Sequence, residues 1–483
     1  MHWTAVQRVL GLLLMVFSIS MLPPFLVALM YQDAGVVPFL ASFVLIVLFG
    51  AILWLPVHRV RHELRIRDGF LIVVLFWTVL GMAGAVPLFL STAPSISLTD
   101  AAFESLSGLT TTGATILTGI DDLPHSIRFY RQQLQWMGGM GIIVLAVAIL
   151  PMLGVGGMQL YRAETPGPVK DSKLTPRIAE TAKALWYIYL TLTIACAAAY
   201  WLAGMSVFDA IGHSFSTVAI GGYSTYDASI GHFDSPLIEM ICVFFMLIAG
   251  INFALHFVAW RCRSIRHYFR DTEARWYFGI LTTVTVVTFA TLILFGTFDS
   301  VNENFTKAIF QAVSIGTTAG FATADFDQWP VFLPVLLVST AFIGGCAMST
   351  GGGIKVIRFA LLIKQGYREL IRLVHPQAQV LVKVGNRAVN ERITDAVWGF
   401  FAAYIALFAI MMLAMMATGL DQVTAFSAVA ANITNLGPGL GDVAANYGEI
   451  GGVAKWILMF AMLLGRLEIF TLLVLFTPAF WRR

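Results

Sequence analysis

The chain is poor in charge. Only 12% of its 483 residues are charged, whereas a soluble globular domain carries about 25%. Hydrophobic residues make up 58% of the chain, so the composition excludes an ordinary soluble protein. The four cysteines are far apart and form no CxxC pair, which argues against a disulfide framework or a zinc site. We therefore expect an integral membrane protein.

Signatures of enzymes and of nucleic-acid binders are also missing. The chain contains no Walker A loop and no dinucleotide-binding fingerprint after a strand. Its acidic residues are spread over several loops and do not converge in one motif, which disfavours a membrane-embedded transferase. The net charge of +3 is too small to indicate a nucleic-acid partner. We expect no enzymatic activity and no bound cofactor, so that a nucleotide could act only through another subunit.

Ten apolar stretches are long enough to cross a membrane. Each exceeds the ~20 residues that an α-helix needs to span the hydrocarbon core. The nine charge-free stretches are 9–32, 34–58, 69–99, 132–161, 184–208, 240–260, 276–298, 328–354 and 396–420. The tenth, 456–481, is interrupted only by Arg466 and Glu468.

The distribution of charge predicts the orientation. Most Lys and Arg residues follow the even-numbered spans, in the segments 59–67, 162–183, 261–275 and 355–392 and at the C-terminus. Most acidic residues lie in the intervening loops. Because basic loops stay in the cytoplasm, we expect a multi-pass protein with both termini cytoplasmic. Segments 162–183 and 355–392 are the polar stretches long enough to dock a partner.

The acidic-side loops contain a fourfold repeat. Their sequences are SLTDAAFESLSGLTTTGAT, SVFDAIGHSFSTVAIGGYST, NFTKAIFQAVSIGTTAGFAT and VTAFSAVAANITNLGPGLG. They align on Gly113, Gly222, Gly320 and Gly437. Twelve residues earlier each loop has an alanine, and six residues earlier each has a small residue, namely Ser107, Ser216, Ser314 and Ala431. The repeating unit is therefore a span, an apolar loop and a second span.

The repeat predicts loops that re-enter the membrane. Non-helical backbone at that depth must be buried in protein or line a watery cavity. Glycine permits positive φ there, and four such loops around one axis would replace the hydration shell of a cation with carbonyl oxygens. The predicted fold is an all-α polytopic membrane protein. It has two N-terminal transmembrane helices (1–66) and four tandem units around one pore, at 67–178, 179–270, 271–390 and 391–483.

The motifs TTTGAT, AIGGYS, TTAGFAT and NLGPGLG resemble those of the Trk/Ktr/HKT superfamily of potassium transporters. The two extra spans, the segment GGCAMSTGGGIKVIR and the C-terminal LLGRLEIFTLLVLFTPAFWRR are most similar to its bacterial TrkH/TrkG branch. The resemblance covers essentially the whole chain. It implies a homodimer in the lipid of the bacterial inner membrane, which translocates potassium as its substrate ion. It also implies gating by a TrkA-like cytoplasmic nucleotide-binding ring.

The resemblance further implies which residues hold the ion. In the family, potassium is bound by main-chain oxygens of the residues that lead into each glycine. The corresponding filter segments here are Thr111, Thr112 and Gly113; Ile220, Gly221 and Gly222; Thr318, Ala319 and Gly320; and Asn435, Leu436 and Gly437. All four glycines are present, which favours potassium over the sodium-selective branch, where serine replaces the first glycine. Because the segments are not identical, we expect some leakage of sodium and good passage of rubidium.

A glycine-rich stretch interrupts the span 328–354. It contains Gly344, Gly345, Gly351, Gly352 and Gly353, followed by Lys355. Since glycine costs about 1 kcal/mol in a helix interior, we expect the helix to break. In the resembling family this segment obstructs the pore, and we predict that residues 344–355 form the gate. The alternative interpretation is a small-residue packing face between helices.

Arg466 lies inside the last predicted span. An arginine at a span centre costs about 2.5–3.5 kcal/mol on insertion scales, so its side chain should face the protein interior or a watery cavity. We predict a fixed positive charge beneath the filter that opposes cations and contacts the gate. The alternative is a structural pair with Glu468.

A second function within the same class stays open. The chain could be an H⁺- or Na⁺-coupled potassium symporter, which would require an intramembrane acidic residue near the ion. The filter segments contain no acidic residue, so uptake through a channel-like pathway is the preferred interpretation.

Overall fold

The computed structural model describes residues 1–59, 65–141, 178–330, 332–385, 387–389 and 391–482. Among these residues, six helices are long and apolar enough to cross a membrane, and two further pairs of helices pass the same test together across a sharp bend. A hairpin of two-residue strands, β1 (Lys383–Val384) and β2 (Arg387–Ala388), lies in the polar segment 355–392. The predicted helical, polytopic membrane fold is confirmed.

The helices follow one another in the predicted order. The N-terminal helices are α1 (Trp3–Ser18), α2 (Leu22–Tyr31) and α3 (Val36–Trp54). The first unit contains α4 (Ile66–Gly84), α5 (Val86–Leu90), α6 (Leu98–Leu109) and α7 (His125–Trp136). The second contains α8 (Ile178–Leu202), α9 (Val207–Ala219), α10 (Pro236–Ala249), α11 (Phe253–Arg261) and α12 (Arg266–Arg270).

The third unit contains α13 (Thr272–Phe295), α14 (Val301–Gly316), α15 (Leu333–Ala341) and α16 (Val356–Val374). The fourth contains α17 (Glu391–Ala417), α18 (Gln422–Ile433), α19 (Gly452–Arg466), α20 (Phe470–Leu473) and α21 (Pro478–Trp481). Short 3-10 helices occupy Ile19–Met21, Leu55–Val57, Ile120–Asp122, Ser229–Phe233, Phe326–Gln328, Gly441–Val443 and Val474–Phe476, and a π-helical turn occupies Met137–Gly141. The boundaries between units, at 67, 179, 271 and 391, stay predictions.

Four short helices, α6, α9, α14 and α18, each lie between two spans. At about 1.5 Å per residue, none of them is long enough to cross the ~30 Å hydrocarbon core. Each begins at a polar N-cap residue whose side chain accepts backbone N–H groups of the first turn, which would otherwise lack a partner. The N-cap residues are Ser97, Ser206, Ser300 and Asp421. Each short helix ends just before a filter segment.

Breaks in the second spans are more widespread than the sequence suggested. The run 328–354 is broken as predicted, because α15 ends at Ala341 and α16 begins at Val356. The runs 240–260 and 456–481 were predicted to be single spans, but neither is one continuous helix. Each is a pair of helices, with bends of 91° and 107°. The run 132–161 and the segment 162–183 lie largely outside the described residues.

The two unexpected breaks have local causes. At the first, the side chain of Asn252 accepts the backbone N–H of Ala254 and starts a new helix. At the second, Glu468 and Ile469 both have a positive φ of 53°, which ends a right-handed helix. Arg466 is therefore the last residue of α19 and does not lie within a continuous span.

The N-terminal helices α1 and α3 pack through a glycine contact. A Cβ added to Gly11 would lie 2.7 Å from the carbonyl oxygen of Gly50 and 2.8 Å from the backbone nitrogen of Trp54. Backbone atoms cannot move aside as a flexible side chain can. Glycine at position 11 thus allows the close approach of these two helices, as small residues do at membrane helix contacts.

We expect Gly11→Ala to destabilise the protein, because overpacking costs about 1–3 kcal/mol and outweighs the gain of about 1 kcal/mol in helix propensity. Gly279→Ala, in α13, is the matched control, since a Cβ there meets nothing within 4 Å. Thermal unfolding in detergent should show a lower midpoint for Gly11→Ala and an unchanged or higher one for Gly279→Ala. A midpoint that rises in both variants would contradict the packing role.

Candidate cation site

The four short helices end in the same hydrogen-bonding pattern. In each, the residue before the aligned glycine donates its N–H to the carbonyl of the small residue six positions before that glycine. The four bonds are Thr112 N to Ser107 O (2.8 Å), Gly221 N to Ser216 O (2.9 Å), Ala319 N to Ser314 O (2.7 Å) and Leu436 N to Ala431 O (2.7 Å). The preceding residue makes a second bond, which completes a Schellman motif. The aligned small residues are thus the acceptors that end each helix.

Two residues in each filter segment have a left-handed backbone. The aligned glycines have φ between 80° and 98°, as the sequence predicted. Two positions earlier, four non-glycine residues also have positive φ, namely Thr111 (56°), Ile220 (53°), Thr318 (70°) and Asn435 (56°). Three of them are β-branched, for which this conformation is a rare outlier. Such strain persists where the surroundings hold the backbone in place, and all four residues are buried.

The filter segments form a closed ring. A Cβ added to each aligned glycine would collide with a carbonyl oxygen of the next unit. The colliding pairs are Gly113 with Gly221, Gly222 with Ala319, Gly320 with Leu436, and Gly437 with Thr112. The fourth unit therefore contacts the first, and the ring closes in chain order. Each of these glycines is required both by its positive φ and by its close neighbour.

The ring concentrates carbonyl oxygens that lack protein donors. Of the twelve carbonyls in the filter segments, ten accept no hydrogen bond from the residues that the structure describes. The two exceptions are Gly221, bonded by Gln135, and Gly437, bonded by Tyr447. Buried backbone carbonyls without donors are rare in proteins. Such a cluster can replace the water around a dehydrated cation.

The predicted gate stretch lies directly against the ring. Gly352 N–H donates to Thr318 Oγ1 (2.6 Å), and Gly353 N–H donates to Thr434 O (3.0 Å). The hydroxyl of Thr350 donates to Val218 O in α9 (3.0 Å). The stretch thus contacts the second, third and fourth units at once.

The glycines of this stretch permit close backbone contact within a loop. A Cβ on Gly352 would collide with Thr434 O, and one on Gly344 would collide with Gly352 O. Gly345 and Gly351 are similarly crowded, and Gly344 and Gly353 have positive φ. A small-residue face on a continuous helix is excluded, because the segment between α15 and α16 is not helical. Lys355 also has a positive φ, and its buried ammonium donates to Gly351 O.

Arg466 contacts the ring and the glycine-rich loop. Its guanidinium donates to Thr111 Oγ1 (3.3 Å) and to Thr350 O (3.5 Å). It also donates to the carbonyls of Gly138 and Gly139 in the π-helical turn after α7. The carboxylate of Glu468, which the alternative interpretation paired with Arg466, forms an ion pair with Arg358 of α16 (2.7 Å).

The sequence interpretation missed a polar face on α7. Arg128 and Arg131 lie between the predicted spans 69–99 and 132–161, but both are in α7 and are buried. Arg131 forms an ion pair with Glu104 of α6 (2.7 Å), and its guanidinium lies over the ring of Tyr223. The signal was readable, because Arg128, Arg131 and Gln135 recur at helical spacing in an otherwise apolar chain.

Two carboxylates link the loops that follow the first two filter segments. Asp227 accepts the N–H of Ile120 (2.9 Å), and Asp121 accepts the N–H of Asp227 (3.2 Å). Partial burial raises the pKa of Asp227, and its hydrogen bond with Asp121 raises it further. Cations near these loops would favour the charged form.

A polytopic helical fold with a closed ring of carbonyls that lack protein donors is typical of a membrane cation-transport protein. Comparison with known proteins agrees, because a family model described as "TrkH: Cation transport protein" matches residues 37–483. The chain therefore belongs to the TrkH family of cation transport proteins, as the motifs predicted.

Individual relatives match over their full length. The chain is 60% identical to the Trk system potassium uptake protein TrkH of Vibrio parahaemolyticus and 59% identical to that of Escherichia coli K12, with 100% of each chain covered. Identity to the Trk system potassium uptake protein TrkG of Escherichia coli K12 is 41%, covering 100% of this chain and 99% of the relative. The crystal structure of the potassium transporter TrkH from Vibrio parahaemolyticus covers 100% of both chains with a TM-score of 0.91 and 57% identity. These relatives are transport proteins, which confirms that the chain is not an enzyme.

We expect Glu104→Gln to lower stability strongly, because removing one partner of a buried ion pair costs about 3–5 kcal/mol. Glu391→Gln is the matched control, since Glu391 is largely exposed and lies 3.7 Å from Arg368, and exposed pairs contribute about 0–1 kcal/mol. Thermal unfolding in detergent should show a clearly lower midpoint for Glu104→Gln than for the control. Similar midpoints would show that the Arg131–Glu104 pair does not hold α6 against α7.

Proposed function

We propose that this protein takes up potassium across the bacterial inner membrane through the carbonyl ring, with potassium as the substrate ion. The observation that carries the proposal is the closed ring of four filter segments, whose carbonyls largely lack donors among the described residues. Its relatives at 59–60% identity are named potassium uptake proteins. Potassium fits this site because carbonyl oxygens can substitute for its hydration shell.

The electrostatics of the ring favour cations. All four short helices end at the ring, and the C-terminal end of a helix carries a partial negative charge. Each helix thus contributes an attractive potential without placing a carboxylate beside the ion. The ring is not uniform, since its side chains differ and two of its carbonyls are shared with protein donors. We expect it to pass rubidium well and to admit some sodium.

Residues 344–355 serve as the gate in this proposal. Their contacts to three units close the side of the ring on which the loop lies, and the positive charge of Arg466 raises the barrier to a cation there. Opening requires these hydrogen bonds to separate. The loop continues directly into α16 (Val356–Val374) and the polar segment 355–392, so a partner that pulls on this segment would move the gate.

The orientation and the partner rest on different arguments. The concentration of basic residues after the even-numbered spans supports a cytoplasmic location for both termini. The Trk system named in the relatives implies further subunits, and we propose a homodimer gated by a TrkA-like nucleotide-binding ring. The chain itself would bind no cofactor.

The alternative is a symporter that couples potassium to H⁺ or Na⁺. It finds less support, because Glu104, a buried acidic side chain on the short helix that leads into the first filter segment, is held in an ion pair with Arg131 and by the N–H of Ile116. Flux that follows the potassium gradient alone, at any pH and sodium gradient, would favour the uptake pathway. Flux driven by an imposed pH or sodium gradient would favour the symporter.

We expect Gly113→Ser to weaken potassium flux and to reduce its preference over sodium, because a Cβ at this position is strained at φ 83° and collides with Gly221 O. The measurement is uptake of potassium, rubidium and sodium by liposomes that contain the purified protein. Gly119→Ser is the matched control, since it also has a positive φ (65°) but meets nothing within 4 Å. No cation flux in the unaltered protein would reject the proposed function.

We expect deletion of residues 351–353 to raise flux measured without any partner, because it removes the bonds to Thr318 and Thr434. Arg466→Ala should also raise flux, and Arg466→Lys, which keeps the positive charge, should raise it less. The same liposome assay measures all three variants. Unchanged flux in both the deletion and Arg466→Ala would contradict the gate assignment.

A further inference from the structure

The second filter segment is held from behind by α7. Four carbonyls in residues 221–225 accept hydrogen bonds from the polar face of this helix. The bonds are Gln135 to Gly221 O (2.5 Å), Gln132 to Tyr223 O (3.3 Å), Arg131 to Ser224 O (3.1 Å) and Arg128 to Thr225 O (3.5 Å). The donors come from the first unit and the acceptors from the second. One rigid helix therefore fixes the backbone of the neighbouring unit.

Gln135 is the residue of this face that reaches the ring. Its amide nitrogen donates to Gly221 O (2.5 Å), and its amide oxygen accepts the N–H of Tyr223 (3.0 Å). One fully buried side chain thus bridges the backbone on both sides of Gly222. A Cβ on Gly221 would collide with this amide, which explains why this segment has two adjacent glycines.

The clamp acts on one of four equivalent oxygens. The residues that immediately precede the aligned glycines are Thr112, Gly221, Ala319 and Leu436. Among the described residues, no side chain donates to the carbonyls of Thr112, Ala319 or Leu436. Among the described residues, Gly221 O is the carbonyl at this level of the ring that combines contact with a neighbouring filter glycine and a side-chain donor. The four filter segments thus share one backbone conformation, but the side-chain donors to their carbonyls differ.

We propose that Gln135 is a positioning residue that sets the preference of the ring for larger over smaller cations. This inference rests on the proposed function. A smaller ion such as sodium requires the carbonyls to move inward to reach it, whereas potassium is bound at a wider radius. Gln135 fixes Gly221 O through one hydrogen bond and the adjacent Tyr223 N–H through the other, so this oxygen cannot shift freely toward a smaller ion. Without the clamp, the oxygen is free to follow a smaller ion.

The test compares Gln135→Met with Gln133→Met in the liposome flux assay. Methionine has nearly the same length as glutamine but cannot make either hydrogen bond. Gln133 is also buried on α7, but its amide donates to Ser20 O of the N-terminal helices (2.7 Å) and not to the filter. We expect the potassium-to-sodium flux ratio to fall about fivefold in Gln135→Met, which corresponds to the ~1 kcal/mol of one hydrogen bond. The ratio should stay unchanged in Gln133→Met.

Gln135→Glu supplies a second and independent readout. Its carboxylate can accept the Tyr223 N–H but cannot donate to Gly221 O, whereas the protonated acid can do both. We expect a low flux ratio at high pH that recovers as pH falls, with no such trend in the unaltered protein. A purely structural role for Gln135 would not produce this pH profile.

The outcomes separate the inference from the function on which it rests. Potassium flux with an unchanged ratio in Gln135→Met would overturn the inference and leave the proposed function intact. Absence of potassium flux in the unaltered protein would overturn both. If Gln135→Met does not yield folded protein, the pH profile of Gln135→Glu decides, and a flat profile overturns the inference.

Discussion

Backbone carbonyls that are buried at membrane depth need partners, and the whole architecture follows from how the chain meets this need. Within the spans, helices satisfy their own polar groups. The chain leaves the helix at the ends of the four short helices and at the breaks in the second spans. There, another segment must donate a hydrogen bond to the free carbonyls, or a cation must bind them. The glycine-rich loop bonds to the short helices, Arg466 bonds to the π-helical turn, and Gln135 bonds to the second filter segment. The remaining carbonyls of the filter segments accept no hydrogen bond from the described residues.

The filter segments contain backbone strain, and the contacts around them offset its cost. A left-handed conformation at Ile220 or at the two threonines costs about 1–3 kcal/mol each, and glycine at these positions would avoid that cost. The Schellman bonds and the packing of neighbouring units hold the backbone there. Non-glycine residues with little conformational freedom also lose less entropy on folding than glycine would. A rigid ring can be built from strained residues because the fold around it is well packed.

Much of the fold and of the candidate cation site could be predicted from the sequence, and each feature that could not be predicted has a physical reason. The spans, the fourfold repeat and the break at residues 344–355 were predictable because each depends on composition or on glycine. The break at Glu468 and Ile469 carries no glycine or proline, and a β-branched residue there argues for helix or strand, so only the tertiary contacts reveal it. The positive φ at Thr111, Ile220 and Thr318 was hidden for the same reason. The polar face of α7 was visible as a helical periodicity, but its two arginines lie outside the charge-free stretches from which the spans were predicted.

The closure of the ring by four different segments of one chain has a consequence for evolution. In an assembly of four identical subunits, every substitution near the axis changes four places at once, and intermediate effects are inaccessible. Here a single codon change alters one quarter of the ring. Ion preference and permeation rate can therefore be adjusted in small steps, and each unit can acquire its own supporting contacts, as the second unit has with α7. A gene that encodes all four quarters in one reading frame can specialise each of them separately.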